Sequence, residues 1–149
     1  MKQELIAALN RMMAISYHMY YRAHAAHWNV VGSNFPQYHD FFGDIYEQVF
    51  APIDDYAENI RKLGGFPPMN FVELLTMFDG VVGPFTSADA MDMMANIKSI
   101  NDTLITALRE GITVADESDE PAISNFLQDR LSAHQKLDWK LTSTLLYNQ

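Results

Sequence analysis

Histidine and carboxylate are the side chains this sequence offers for holding a metal ion; it has no cysteine. His27 and His39 flank a short connection that contains Gly32, Ser33 and Asn34. Asp54 and Glu58 stand one helical turn apart, so both carboxylates face the same way. Glu-x-x-His, which di-iron bundles use on two of their helices, occurs nowhere in the chain. A site of that sort, closed inside one bundle, is not expected. On a shared helix His39 and Asp54 would lie about 22 Å apart at the standard rise. Bonds from a metal to imidazole or carboxylate are only about 2.0–2.2 Å long. One chain cannot close all four residues on one ion. Two chains can: a second helix lying antiparallel across a two-fold axis brings the imidazole end of one to the carboxylate end of the other. Such an interface makes two identical sites at once. Two imidazoles plus carboxylates with open positions suit iron that must react with an oxidant.

Long helices must carry these groups. Most glycines and prolines gather in four places: Gly32 with Pro36; Gly64, Gly65, Pro67 and Pro68; Gly80, Gly83 and Pro84; Gly111 with Pro121. The chain between them runs uninterrupted. Over about residues 3–30, Leu5, Leu9, Met12, Ser16, Tyr20 and His27 form a stripe near the helical period, with Met13, Tyr17, Tyr21, His24 and Trp28 beside it. The second segment, about 36–63, carries Phe41, Phe42, Ile45, Val49, Ile53, Tyr56 and Ile60; Asn34 is its expected cap and Gly64-Gly65 its stop. A short piece, about 70–78, reads as one or two helical turns in a long connection. The third long segment follows a capping-box-like Thr86 and Asp89 and runs through Leu108, and the fourth starts near Pro121. No stretch alternates with a period of two between hairpin turns, so no sheet is expected. The pattern predicts one all-α domain over 1–149, a ferritin-like four-helix bundle. A short extra helix lies in the long crossover between helices 2 and 3.

His27-Trp28-Asn29-Val30-Val31-Gly32-Ser33-Asn34-Phe35, followed by His39, resembles the signature of the Dps-like mini-ferritins. So do Asp54-Asp55-Tyr56-Ala57-Glu58 with Ile60-Arg61 and Leu63-Gly64-Gly65, and the last-helix residues His134, Lys136, Trp139 and Leu141. The likeness runs through nearly the whole chain. It implies a hollow dodecameric shell that oxidises Fe²⁺ at inter-subunit ferroxidase sites, with hydrogen peroxide the preferred oxidant, and stores the ferric product inside. Carried over residue by residue, it makes His27 and His39 the metal ligands of one subunit, and Asp54 and Glu58 those of its two-fold partner. Trp28 beside a ligand becomes an electron donor that intercepts radicals; an interface anchor is the plain alternative.

One position departs from the family pattern. Where an acidic residue is usual, four places after the second histidine, this chain has Gly43. Asp44 and Asp40 are each rotated about 100° away around the helix. A bend at Gly43 or Pro52 could re-aim Asp44, or water could fill the gap. Either the site is weaker for one of two irons or it binds a single metal tightly. The alternative function is a passive metal-binding or structural shell whose ferroxidase activity Gly43 has impaired.

Plainer readings cover the remaining candidates. His18, His24 and His134 read as packing or surface residues, and the nine methionines as flexible core filler. Asp54 and Glu58, taken alone, are solvated charges that could pair with Arg61 or Lys62. The run Asp116-Glu117-Ser118-Asp119-Glu120 reads as a solvated loop ahead of an entrance attracting Fe²⁺. Apolar residues make up 48 % and charged residues 19 %, which excludes a disordered chain. Without cysteine, disulfide scaffolds, iron–sulfur clusters and thiol catalysis are excluded too. No apolar run is long enough to cross a bilayer, and Glu4, Asn10 and Arg11 break the first segment at helical spacing, so a cytoplasmic protein is expected. The net charge of −9 becomes about −108 in a dodecamer, and neither end is rich in Lys or Arg, so binding to DNA is not expected.

Overall fold

A computed structural model describes residues 1–78, 80 and 82–146. Its helices are α1 (Lys2–Asn29), α2 (Phe35–Phe50), α3 (Ile53–Lys62), α4 (Phe71–Thr76), α5 (Ala90–Glu117) and α6 (Pro121–Leu146). Among the described residues there is no strand, only an isolated bridge between Val31 and Asp89. α1 packs against α2, α3, α4 and α5, and α5 packs against α6. With α2 and α3 sharing one position, this is the expected ferritin-like four-helix bundle, and α4 is the short helix of its crossover.

The single helix expected over 36–63 is broken at Ala51 and Pro52. Proline has no N–H, so the carbonyl four residues earlier, that of Gln48, loses its partner. Arg130 of α6 turns a guanidinium N–H toward that oxygen, 3.5 Å away. Pro52 then opens α3, its carbonyl accepting from the N–H groups of Asp55 and Tyr56. Gly64, at φ +88°, closes α3 with the left-handed turn glycine allows, and the next N–H returns to the Ile60 carbonyl.

The caps differ in detail from expectation. Asn34 precedes α2 but makes no side-chain cap bond. Thr86 is not the cap of α5; Asp89 is, its Oδ2 accepting from the N–H groups of Met91 and Asp92 at 3.0 and 3.4 Å. Ser87 fills the outer position instead, donating to the Asp92 carboxylate at 2.6 Å. Replacing Asp89 with alanine strands those donors and is expected to cost about 1 kcal/mol. A calorimetric melt checks this; the midpoint should fall by about 2–4 °C.

Leu5, Leu9, Met12 and Ile15 of α1 share one buried cluster with Phe42 and Ile45 of α2, Tyr56 of α3, and Met94, Ile97 and Leu104 of α5. Past Ser16 the buried face of α1 continues through Met19, Ala23 and Ala26, not through Tyr20 and His27, which are only half-buried. The aromatic and imidazole residues thus sit on the flank of α1. The crossover is pinned to the same helix, because Arg22 donates to the carbonyls of Gly83 and Val82 and to Asn96 Oδ1 at 2.6–2.8 Å.

Candidate metal centre

His27 lies in the last turn of α1 and His39 in the early part of α2. Helix α1 ends at Asn29, and the N–H of Val31 goes instead to the Ala88 carbonyl, so the His27 carbonyl has no ladder partner ahead of it. His39 takes that place, its Nδ1 lying 2.6 Å from the His27 carbonyl oxygen. The reverse bond is also made, His27 Nδ1 lying 2.6 Å from the His39 carbonyl oxygen. A carbonyl only accepts, so both Nδ1 atoms must carry the hydrogen. In a neutral imidazole this leaves the lone pair on Nε2, the arrangement that ligating histidines share. The two rings stack with centroids 3.7 Å apart and planes 17° from parallel, and Phe35 covers the outer face of His39.

Gly43 lies against this pair. A Cβ at that position would come within 3.1 Å of His27 Nδ1 and 3.2 Å of Cε1. In the helical ladder the His39 carbonyl also faces the N–H of residue 43, so His27 approaches it alongside the glycine. Helix α2 runs unbroken through this point, and its break comes later, at Ala51. The bend that would re-aim Asp44 is therefore not at Gly43. Asp44 instead lines a groove between α2 and α6 with Gln48, Lys136 and Lys140.

Trp28 is exposed, and the His24 ring lies 4.0 Å from it and 4.1 Å from Tyr46. The Tyr20 hydroxyl shares a 3.2 Å hydrogen bond with His24 Nδ1. Burial, then the charge of His27, holds the His24 pKa below the usual histidine range. This imidazole, read from sequence as packing, therefore borders the candidate ligands. His18 is a packing residue, with Nε2 at 3.1 Å from the Leu75 carbonyl and its ring on Phe78.

Asp54 and Glu58 are exposed on α3. Asp54 borders an apolar cavity of about 410 Å³ whose walls include Met13, Tyr17, Phe50 and Leu74. Arg61 does not serve as their counterion: it donates to the Gly65 carbonyl at 2.7 Å and stacks over Phe66 at 4.0 Å. Among the described residues, no three His, Asp or Glu side chains of one chain gather where they could hold a metal. His27 and His39 come together; the two carboxylates do not join them. The helix-terminal carbonyl and the space at Gly43 were missed from sequence, because a backbone acceptor leaves no mark in residue type.

Residues 6–146 match the family described as Ferritin-like domain. A low temperature-induced protein of Nostoc sp. is 32 % identical, the match covering 95 % of this chain and 80 % of that protein. The DNA protection during starvation protein of Brevibacillus brevis is 30 % identical, with 96 % of each chain covered. The crystal structure of a Dps protein from Vibrio cholerae, described as a ferritin-like diiron-carboxylate protein, superposes with a TM-score of 0.90 at 27 % identity. That superposition covers 97 % of this chain and 90 % of the other.

Proposed function

Because this chain belongs to the ferritin-like domain family, and within it to the Dps-like mini-ferritins, we propose that it stores and detoxifies iron by oxidising Fe²⁺ with hydrogen peroxide. The observation that carries the reading is the reciprocal bond between His27 and His39, which commits both Nδ1 atoms to backbone oxygens and leaves both Nε2 atoms as the ligating nitrogens. Asp54 and Glu58 of a two-fold partner supply the oxygen donors, and a hollow dodecamer holds the product. Fe²⁺ is the substrate. Each of two Fe²⁺ gives one electron to peroxide, which takes up two protons and leaves as two waters. The Fe³⁺ hydrolyses on interior carboxylates, and no one-electron product of peroxide escapes.

Anaerobic titration with Fe²⁺ followed by peroxide tests this. Saturable uptake and a ferric absorbance at one peroxide per two Fe²⁺ are expected. Absence of both overturns the reading; uptake with oxidation no faster than for free iron identifies a passive shell.

Trp28 is our candidate for the donor that quenches stray radicals: it is exposed, and its ring lies 4.0 Å from that of His24, which lies 6.3 Å from that of His27. In Trp28→Phe, iron uptake should persist while a spin trap reports more hydroxyl radical. An unchanged trap signal leaves Trp28 as an interface anchor. Protection here rests on iron removal and not on coating nucleic acid, given the net charge of −9 per chain. A gel-shift assay at low salt without divalent ions is expected to show free DNA.

A further inference from the structure

We propose that Tyr20 is the electron store behind Trp28, and that His24 takes the phenolic proton when Tyr20 is oxidised. The inference deepens the reading of Trp28 above and rests on it for the source of the radical. Tyr20, His24 and Trp28 follow one another on α1 at intervals of four residues, which brings them to one flank of the helix. The centroid of the His24 ring lies 4.0 Å from that of Trp28 and 5.5 Å from that of Tyr20. An electron therefore has an unbroken path of rings from Tyr20 to the exposed indole.

Proximity alone does not choose the tyrosine. The Tyr21 ring lies 6.4 Å from Trp28, and Tyr46 stacks on His24 at 4.1 Å. A phenol gives up an electron readily only when its proton leaves too, so the donor needs an acceptor within hydrogen-bond reach. Among the described residues, Tyr20 alone of these three has one, its hydroxyl lying 3.2 Å from His24 Nδ1. With its pKa held below the usual range, His24 is neutral at neutral pH; Nε2 carries the hydrogen and Nδ1 accepts. Tyr20 is also half-buried, with Phe50 at 4.9 Å and Tyr46 at 6.2 Å, so a radical there is sheltered, whereas Tyr21 is 61 % exposed.

Electrons and protons balance along this route. A hydroxyl radical takes one electron from Trp28 and leaves as hydroxide. The indole radical cation takes an electron from Tyr20 as the phenolic proton passes to His24 Nδ1, which gives neutral Trp28, a tyrosyl radical and an imidazolium. A further Fe²⁺ reduces the tyrosyl, which recovers its proton from His24, and becomes Fe³⁺.

The test needs neither iron nor peroxide, so its failure is separate from that of the iron reading. In assembled Trp139→Phe protein Trp28 is the only tryptophan. A laser flash at the red edge of indole absorption, where tyrosine is transparent, ionises it alone. Transient absorption should show the indole radical decaying as a tyrosyl signal rises at the same rate. Tyr20→Phe, added to this protein, keeps the ring and should abolish that rise. His24→Phe, which leaves Tyr20 without its acceptor, should abolish it as well. Tyr21→Phe and Tyr46→Phe should leave it intact. Absence of a tyrosyl rise in the parent protein overturns the proposal, as does a rise that survives Tyr20→Phe or His24→Phe or one that is lost in Tyr21→Phe or Tyr46→Phe. The spin trap on Trp28→Phe judges the quenching of radicals independently.

Discussion

Two inactive variants of this protein should restore activity when assembled together. His27→Ala with His39→Ala removes the imidazoles from every centre, and Asp54→Ala with Glu58→Ala removes the carboxylates; neither assembly alone should oxidise Fe²⁺ above the free-ion rate. In a random one-to-one co-assembly, a two-fold centre draws its imidazoles from one chain and its carboxylates from the other. Half of the imidazole halves are intact and half of the carboxylate halves are intact, so about one quarter of the centres are whole. The expected rate is about a quarter of native, measured as ferric absorbance after peroxide is added to shells reassembled from mixed, dissociated subunits. Complete silence in a verified mixed shell means the four residues do not meet across a two-fold axis. Among the described residues of one chain no three ligating groups gather, so recovery is expected only across the interface.

The second large effect concerns stability in acid. His134 is 2 % exposed, with Nδ1 donating to Asn101 Oδ1 at 2.9 Å and Nε2 accepting from Arg130 at 3.1 Å. Asn101 returns a bond from Nδ2 to the His134 carbonyl at 3.0 Å. Burial, with the Arg130 charge adding to it, lowers the His134 pKa to about 3 from 6.5. The unfolded chain takes up a proton below pH 6.5 that the folded chain refuses until about pH 3. The neutral histidine's contribution is therefore complete above pH 6.5 and declines between those limits, by about 1.4 kcal/mol per pH unit. Guanidinium unfolding at pH 7.5 and pH 5 should differ by about 2 kcal/mol per subunit from this group. His134→Ala, which leaves Asn101 and Arg130 short of partners, should cost about 2–4 kcal/mol at neutral pH. It should also lose that part of the acid slope; an unaltered slope would assign the acid sensitivity elsewhere.

The sequence carried the helices well because glycine and proline clusters mark where helices cannot continue, and large apolar residues recur between them. It carried the path of the first helix less well. Beyond Ser16 the buried positions are Met19, Ala23 and Ala26, and alanines leave a faint hydrophobic signal beside Tyr20 and His27. Pro52 was read as a weakness in one helix and became a full break, since a distant residue, Arg130, approaches the orphaned carbonyl. Partners so far away in the chain are invisible to local pattern. The same holds at the centre. Residue types and spacing pointed to His27 and His39, whereas the two backbone oxygens that orient them leave no trace in residue type.

Those two oxygens also bear on the thermodynamics of loading. With both rings immobilised before any ion arrives, the entropy of ordering the imidazoles is settled during folding and not during capture. Calorimetry of capture should then be dominated by water shed from the ion and the carboxylates, giving an entropy-favoured association. Its speed should follow ion dehydration, with little dependence on the viscosity of the medium.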